Sequence, residues 1–359
     1  MTGRHDDQHD RIERIAQRDL DARELRIRLI AELCTAVRFD AYAWLMIDPL
    51  SLVGTAPLVD VPVPPPLQAH VPDYIRGKYL TTVNRWTTLR RESRHVATLV
   101  DATGGDLARS LMWREVQRPL GVVDVATVVF CDRFGCWGNL DLWRMHPAAA
   151  FQPAELRFLE TNAPAVTAGL RAAQARTFNQ PSSGADRPAP AVLVLGPRLR
   201  VRSQTAGASE RLSALNPPDP ADPAAPPTVP AAALNVAAQL LAREASVDDH
   251  PAVARVHLAG GRWLTVKADR LGDPPDSDIA VTIEETSPTD RLELFARAHG
   301  LSPRERDVLF HVAAGDNSKT IARQLYLSEH TVNDHVKSVL AKTGARTRQL
   351  LLSRALGTT

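Results

Sequence analysis

The chain has 359 residues, a net charge of +2, 44% hydrophobic residues and 23% charged residues. This composition is typical of a globular protein, and the length suffices for two or three domains. No apolar run of about eighteen residues predicts a membrane-spanning helix, and the polar N-terminus lacks the apolar core of a signal peptide. Three cysteines are too few for a secreted disulfide scaffold. We therefore expect a cytoplasmic protein without membrane contact.

The first 176 residues predict an α+β domain that follows a disordered N-terminus at residues 1–10. The pattern indicates an opening helix, a strand, an amphipathic helix, a hairpin and a closing helix. Their residues are 12–37, 41–47, 106–116, 122–144 and 153–176. This order resembles the GAF domain, a small-molecule sensor, and the hairpin phrase at 135–144 supports the likeness. The resemblance implies an unidentified small-molecule effector for residues 11–176.

Aromatic residues of this region are the candidates for a ligand pocket. An apolar pocket is one reading of the tryptophans, and a filled core is the alternative. The four candidates are Trp44, Trp86, Trp113 and Trp137. No acyl-homoserine-lactone-binding pattern, metal-ligand spacing, catalytic constellation or phosphate-binding loop is present in the sequence. We predict no cofactor, no metal and no enzymatic activity.

Two cysteines, Cys131 and Cys136, flank the turn of the expected hairpin. They could approach each other and act as a redox switch. Buried free thiols are the commoner state in a cytoplasmic protein, and the sequence favours that reading.

Proline separates the remaining regions. Residues 177–190 are rich in Ser, Pro and Gly and predict a linker. Residues 191–287 show two strands, helices and three antiparallel strands, with a proline-rich insertion at 216–230. This order resembles a PAS domain, for which a structural or dimerising role is favoured over cofactor binding. Residues 288–300 predict a helix that connects this domain to the C-terminal region.

Residues 301–359 carry the strongest functional signal, a helix-turn-helix pattern. Ser302 and Glu305 form a capping box at the start of one helix. Asn317 caps a second helix, and Ser328 caps a third after a short break. We predict an all-α domain of four helices whose third helix presents polar residues outward.

The third helix is the predicted DNA-reading element. If its valines face inward, Asn333, Asp334 and Lys337 point outward, where they can contact base edges. Residues 301–357 hold nine Lys or Arg against five Asp or Glu, a local net charge of +4 that favours a DNA backbone. The alternative is a helical bundle that serves only for packing.

The same segment resembles the DNA-binding domain of LuxR-type regulators, also called NarL/FixJ-type. The matching residues are Leu301–Glu305, Val308–Leu309, Gly315, Lys319–Ala322, Leu325, Leu327–Ser328, Thr331–Val332, His335–Val336, Leu340, Lys342–Gly344 and Arg348. The resemblance implies base contacts by the third helix and a fourth helix, about 347–356, that often supplies a dimer contact.

Three residues are candidates for contacts to the DNA backbone on this basis: Lys319, Thr331 and Lys342. The family's usual Lys after Thr-Val is Asn333 here, and its usual Glu before Ile-Ala is Thr320. We expect these departures to change the operator or weaken intrinsic affinity rather than abolish binding.

The sequence thus predicts a one-component transcriptional regulator that binds double-stranded DNA as a homodimer and responds to a small-molecule effector. No acidic phospho-acceptor site is visible in residues 1–176, so a response-regulator mechanism is not favoured. The alternative is a constitutive DNA-binding regulator whose upstream domains only dimerise or bind another protein.

Overall fold

The structure is a computed structural model that describes residues 2–62, 67–180, 190–215, 229–258, 261–273 and 277–357. Over these residues the chain forms two α+β bodies, each built on an antiparallel sheet, and a C-terminal group of helices. Within the described part, no helix is long and apolar enough to cross a membrane.

The amino-terminal body is a five-stranded sheet with helices on both faces. Its elements are α1 (Thr2–Ala16), α2 (Ala22–Ala36), β1 (Ala41–Ile47), β2 (Gly54–Asp60), α3 (Leu67–Leu80), α4 (Trp86–Arg91), β3 (Val96–Thr98), α5 (Leu99–Thr103), β4 (Val122–Asp132), β5 (Gly135–Met145) and α6 (Pro153–Arg176). The strand order is β2-β1-β5-β4-β3, with antiparallel neighbours. Helices α1, α2 and α6 cover one face and α3 to α5 the other, so β5 is buried on both sides.

The middle body repeats this strand order. Its elements are β6 (Ala191–Leu195), β7 (Val201–Gln204), α7 (Ala208–Leu215), α8 (Ala231–Glu244), β8 (Val253–His257), β9 (Trp263–Arg270) and β10 (Ile279–Glu285). The order β7-β6-β10-β9-β8 places the first strand beside the last, as in the amino-terminal sheet. Helix α8 is buried along most of its length because it packs between the middle sheet and the amino-terminal body.

The C-terminal helices are α9 (Pro288–Ala298), α10 (Pro303–Ala313), α11 (Ser318–Leu325), α12 (Glu329–Thr343) and α13 (Arg348–Leu356). Helix α9 lies within the predicted connecting segment, and α10 to α13 are four helices, the number that the sequence predicts.

The chain start differs from the predicted disordered N-terminus, since α1 begins at Thr2. Gln8 is buried, and its Nε2 donates a hydrogen bond of 2.7 Å to Thr35 on α2. Ile12 and Ala16 are buried, and Ala16 lies so close to Gly169 of α6 that a Cβ there would stand 2.9 Å from its carbonyl oxygen. This close packing holds the helix, and polar composition alone did not reveal it.

The amphipathic helix predicted over 106–116 is wrong. The segment contains a 3₁₀ turn and a π-helical turn instead, at Leu107–Arg109 and Trp113–Gln117. The hydroxyl of buried Ser110 accepts the Trp113 backbone N–H at 3.2 Å, which starts a new turn in the middle of the segment.

The predicted linker 177–190 is also corrected where it is described. Residues Thr177–Asn179 form a 3₁₀ turn, and Phe178 is only 1% exposed. Residues 181–189, like residues 216–228 of the predicted proline-rich insertion, lie outside the described part. The composition of this segment indicated a linker, but the Phe178 side chain packs against the buried rings of Trp263 and Phe295.

Phe178 joins the two bodies to the C-terminal helices. Its ring centroid lies 5.2 Å from that of Trp263 on β9, in a stacked arrangement. It lies 5.2 Å from that of Phe295 on α9, edge to face. The Arg291 guanidinium lies 5.2 Å from the Phe178 ring centroid. We call Phe178, Trp263, Arg291 and Phe295 the aromatic junction. Such contacts add stabilisation beyond the buried area itself.

Buried ion pairs fix the two α+β bodies to each other. Arg85, 1% exposed, donates to Asp248 at 2.8 Å and to Gln239 of α8 at 2.9 Å. Arg255 of β8 donates to Asp48, at the end of β1, at 3.0 Å. Because removing one partner of a buried pair leaves an uncompensated charge, these contacts hold one relative orientation of the bodies.

The two cysteines of the hairpin are paired. Cys131 and Cys136 stand opposite each other in the β4–β5 register and form a disulfide. The sequence-based preference for free thiols is therefore wrong for this pair, because the hairpin register brings the side chains together. Cys34 is free and exposed on α2.

Candidate nucleic-acid interface

Helices α11 and α12 form a helix-turn-helix whose boundaries are set by side-chain caps. Asn317 accepts the Thr320 backbone N–H at 2.9 Å, and Ser328 accepts that of Thr331 at 3.0 Å. Between them, Tyr326 takes the left-handed conformation (φ 56°) that ends α11. These contacts satisfy N–H groups that a helix start leaves free.

A small apolar core orients α12, the predicted DNA-reading helix, which we call the reading helix. It consists of Val308, Val312, Ile321, Ala322, Val332 and Val336. Because Val332, Val336 and Val339 of α12 face inward, the helical period places Asn333, Asp334 and Lys337 at the surface. The predicted base-reading residues are therefore exposed together on one helix.

Glu305 clamps α10 to α12. Its carboxylate accepts the Ser302 backbone N–H at 2.6 Å in the capping box, the Ser338 hydroxyl at 2.6 Å and the Lys342 ammonium at 2.6 Å. Burial alone would raise the pKa of Glu305, but the hydrogen bonds from Lys342, Ser338 and Ser302 outweigh it and lower the pKa to about 2. The angle between α10 and the reading helix therefore depends on an ionised carboxylate.

This clamp changes the place of Lys342 among the predicted DNA contacts. The sequence suggests a backbone contact, whereas the structure shows its ammonium bound to Glu305. A cation that is already paired with a buried carboxylate attracts a DNA phosphate less strongly than an unpaired one. Lys319, in the first turn of α11, is exposed, and Thr331 is half-buried with its hydroxyl 2.8 Å from that of Ser328.

Asn333 is held by two residues that sequence reasoning missed. Its Oδ1 accepts the Ser318 hydroxyl at 2.8 Å, and one nitrogen of Arg348 lies 3.5 Å away. The same Arg348 nitrogen donates to Ser318 at 3.1 Å. Arg348 belongs to the LuxR-type sequence pattern, which could have indicated it as a site residue. No sequence pattern indicated Ser318. The cluster brings the starts of α11 and α13 beside the reading helix.

Asp334 and Lys337, the other two predicted base-contacting residues, take part in weak surface ion pairs. Asp334 lies 3.5 Å from Lys337 and 3.4 Å from His330, and all three side chains are more than half exposed. Exposed ion pairs of this kind contribute little free energy, so DNA could replace them at low cost.

Tyr326 is a further exposed residue of the turn that the sequence did not single out. Its side chain is 95% exposed. Its backbone has a positive φ, a conformation that residues other than glycine rarely adopt. Nothing in the described structure packs against this ring to explain a tyrosine.

The four candidate tryptophans do not line one pocket. Trp44 and Trp137 belong to the core on the α6 face of the sheet, whereas Trp86 and Trp113 pack on the opposite face. A bulge between Phe130 and Cys131 shifts the register next to Trp137, which alternation alone does not reveal. The structure therefore does not bring the four candidates together, and the alternative of a filled core fits the burial of Trp44, Trp86 and Trp137.

A cavity does lie between the two bodies. Its volume is about 1470 Å³, and it is bordered by α3, β2 and the start of α8, with Tyr74 and Lys78 in its wall. Lys78 is buried and paired with Asp141 at 2.5 Å.

Among the described residues, Asp248, Asp249 and His250 bring three possible metal-ligand atoms close together. Asp248 already accepts hydrogen bonds from Arg85, Thr87, Gln239 and His250. A carboxylate so occupied, beside a guanidinium, is a poor cation ligand, so the group carries no metal assignment.

Known proteins resemble the C-terminal region. Residues 299–355 match the family model of bacterial regulatory proteins of the luxR family. Residues 299–355 are a LuxR-family helix-turn-helix domain. The transcriptional regulatory protein DesR of Bacillus subtilis is 30% identical over 97 residues, which cover 25% of this chain and 49% of DesR. The nitrate/nitrite response regulator NarL of Escherichia coli is 48% identical over 48 residues, 13% of this chain and 22% of NarL.

The chain thus spans about half or less of the length of these relatives. Among solved structures, SdiA of Escherichia coli is 14% identical, with 96% of this chain and 94% of SdiA covered, at a TM-score of 0.32. A TM-score this low does not establish a shared fold.

We predict that Glu305→Gln makes the chain less stable at pH 7 and flattens its stability in acid. The folded-state pKa lies below the unfolded one, so the contribution of Glu305 is present above about pH 4.5 and is lost as pH falls toward 2. The shift corresponds to about 3 kcal/mol. Urea unfolding between pH 2 and 7 measures it.

Glu329→Gln, at the exposed start of α12, is the matched control and should leave the pH profile unchanged. Identical acid slopes for wild type and Glu305→Gln would show that the clamp contributes nothing.

Proposed function

We propose that this chain is a one-component transcriptional regulator that binds double-stranded DNA through α12. The observation that carries the proposal is the exposed polar face of the reading helix within a LuxR-family domain. The named relatives DesR and NarL are regulatory proteins, which supports the same class. An operator is read when α12 enters the major groove.

The proposed contacts follow from exposure and pairing. Asn333, Asp334 and Lys337 contact bases, since all three are exposed on one face. Lys319 and Thr331 contact the backbone, and we add Arg348 because it is exposed beside Asn333. Lys342 is left out because Glu305 binds it.

We propose that the two upstream bodies are sensory, GAF-like and then PAS-like. The middle body has the order that the sequence suggested, and the amino-terminal body keeps the β1 strand, the β4–β5 hairpin and the closing helix, although its opening helix is divided into α1 and α2. Both sheets share one strand order. A small-molecule effector in this part of the chain would shift an equilibrium only if it binds one arrangement of the domains better than another.

The coupling element in this proposal is α13. The family resemblance implies that this helix contributes a dimer contact, yet here Leu351 and Ala355 are buried in the core that includes Phe178 and Phe295. Arg291 also donates to the Arg354 carbonyl near the end of α13 at 3.2 Å. In the docked chain α12 is therefore exposed, while α13, the helix expected to form the dimer contact, is packed against the rest of the chain. Release of α13 would permit paired binding to two half-sites.

The alternative is a constitutive DNA-binding regulator whose upstream bodies only dimerise or bind another protein. The aromatic junction favours control over this alternative, because it joins both upstream bodies to α9 directly. A constitutive regulator does not require such a connection.

We predict that Lys337→Ala weakens binding to a selected operator roughly tenfold and lowers the salt slope of log K by about 1. The operator is first selected from random-sequence DNA with the full chain. Fluorescence anisotropy at several salt concentrations then gives both quantities. Loss of one exposed cation at the DNA surface is the physical reason.

Lys342→Ala is the internal comparison, because its ammonium is bound to Glu305. It should lower stability and leave the salt slope unchanged. If Lys337→Ala changes neither affinity nor slope, α12 does not read DNA as proposed.

We also predict that Phe178→Ala uncouples the domains. Truncating a buried phenylalanine costs about 3 to 5 kcal/mol, and here the loss falls on the contacts that dock α9 and α13. Affinity for a two-half-site operator should rise about tenfold while affinity for a single half-site stays constant. Sedimentation velocity should show dimer formation on the paired site.

Phe39→Ala is the control, since that half-buried ring packs near Tyr42, away from the junction. Equal affinities for wild type and Phe178→Ala on both operators would favour the constitutive alternative.

A further inference from the structure

A second cavity lies next to the aromatic junction, between the two α+β bodies. Its volume is about 450 Å³, and its wall includes the start of α2, the end of α6 and the strands β8 and β9. Trp263 lines it and stacks on Phe178, so the cavity and the junction share a side chain.

The wall contains a buried cation, Arg26, that forms no ion pair with any described residue. Arg26 is 2% exposed, and its guanidinium donates to the backbone oxygens of Ala22 at 2.9 Å, Trp44 at 2.9 Å and Ala56 at 2.7 Å. Within the described part of the chain it forms no salt bridge. Burial lowers the pKa of Arg26 to about 10, and nearby Arg23 adds to this effect, while Asp21 and Tyr42 act in the opposite direction. A buried charge of this kind is stabilised by an anion.

Three further nitrogens of the wall are buried without a partner: Arg255 Nε, His257 Nε2 and Trp263 Nε1. Register places them on one face of the middle sheet, because His257 stands opposite Trp263 and Arg255 lies two residues earlier on β8. Trp263 is only 3% exposed. Buried polar atoms are nearly always paired in proteins, so three on one cavity wall point to a polar ligand group at this place. His257 Nε2 donates when the neutral ring carries its proton on that nitrogen.

Most of the other charges near the cavity are engaged in ion pairs or caps, and Arg23, which also lines it, is exposed to solvent. Arg176 pairs with Asp19 at 3.0 Å, and Asp21 caps α2. Arg255 pairs with Asp48 and Asp290 through its terminal nitrogens, which leaves its Nε free. Among the cations that line the cavity, Arg26 is therefore the buried one without an ion pair in the described part of the chain.

We propose that this cavity binds a small metabolite through an oxyanion, carboxylate or phosphate, held by Arg26, His257 and Trp263. Oxyanion oxygens accept from guanidinium, imidazole and indole N–H groups at once. Met46, Ala173 and Val256 give the same cavity an apolar side for the body of the ligand. This site is separate from the four tryptophans that the sequence suggested.

Binding of an anion at this site would affect how α9 and α13 dock on the upstream bodies. A bound anion would join Arg26 of the amino-terminal body to Trp263 of the middle body, and Trp263 supports the Phe178 stack. Occupancy would therefore stabilise the docked arrangement of α9 and α13. This consequence rests on the proposed function, whereas anion binding itself does not.

Isothermal titration calorimetry of the full chain without DNA tests the site. The probes are inorganic phosphate, succinate and phenyl phosphate, with sodium chloride at matched ionic strength as the reference. We expect saturable binding of at least one probe, and the phosphate and carboxylate arms tell the two sources apart. Trp263→Phe keeps the stacked ring, removes one donor and should weaken binding at least tenfold.

Trp143→Phe is the matched control, because the Nε1 of Trp143 is also buried without a partner, while Trp143 lines neither cavity. If Trp263→Phe does not fold, Arg26→Gln replaces it, and the rise in melting temperature with ligand should disappear. No binding by wild type, or equal weakening by both tryptophan variants, would overturn the site. Lys337→Ala should bind the anion normally, so failure of the DNA-binding proposal is a separate outcome.

Discussion

The stack of Phe178 on Trp263 connects three parts of this molecule that are far apart in the sequence. Phe178 ends the amino-terminal body, Trp263 belongs to the middle sheet, and Phe295 on α9 completes the contact toward the DNA-binding domain. Arg291 lies over the Phe178 ring and donates to the Gly261 carbonyl at 3.1 Å as well as to α13. The position of the LuxR-family domain therefore depends on packing at one residue of a segment that looks like a linker.

A second contact supports the same docking. Arg297 of α9 donates to the Phe134 carbonyl at the tip of the β4–β5 hairpin at 3.1 Å, and Arg171 of α6 lies 4.9 Å from the Phe134 ring centroid. The Cys131–Cys136 disulfide closes the base of this turn. Both the hairpin and the aromatic junction hold α9, so a change in either upstream body can reach the LuxR-family domain through one helix.

Sequence patterns predicted the elements whose causes are local. Helix α6 has the predicted bounds, and the Ser302–Glu305 capping box is present, because both follow from neighbouring residues. The contacts that combine distant residues were not predictable. Phe178 stood in a proline-rich and serine-rich context, and the second role of Glu305, with Lys342, depends on how α10 meets α12. The placement of the four candidate tryptophans on two faces of the sheet was not predictable for the same reason, since alternation assigns faces but not partners.

In the free chain, the LuxR-family domain is docked on the upstream bodies through α9 and α13. Spin labels on the free, exposed Cys34 and on Gln349→Cys, at an exposed position of α13, test this docking by double electron–electron resonance. Docking predicts one narrow distance distribution for the free chain and a second population when a paired operator is added. A broad distribution in the free chain, unchanged by DNA, would contradict the account.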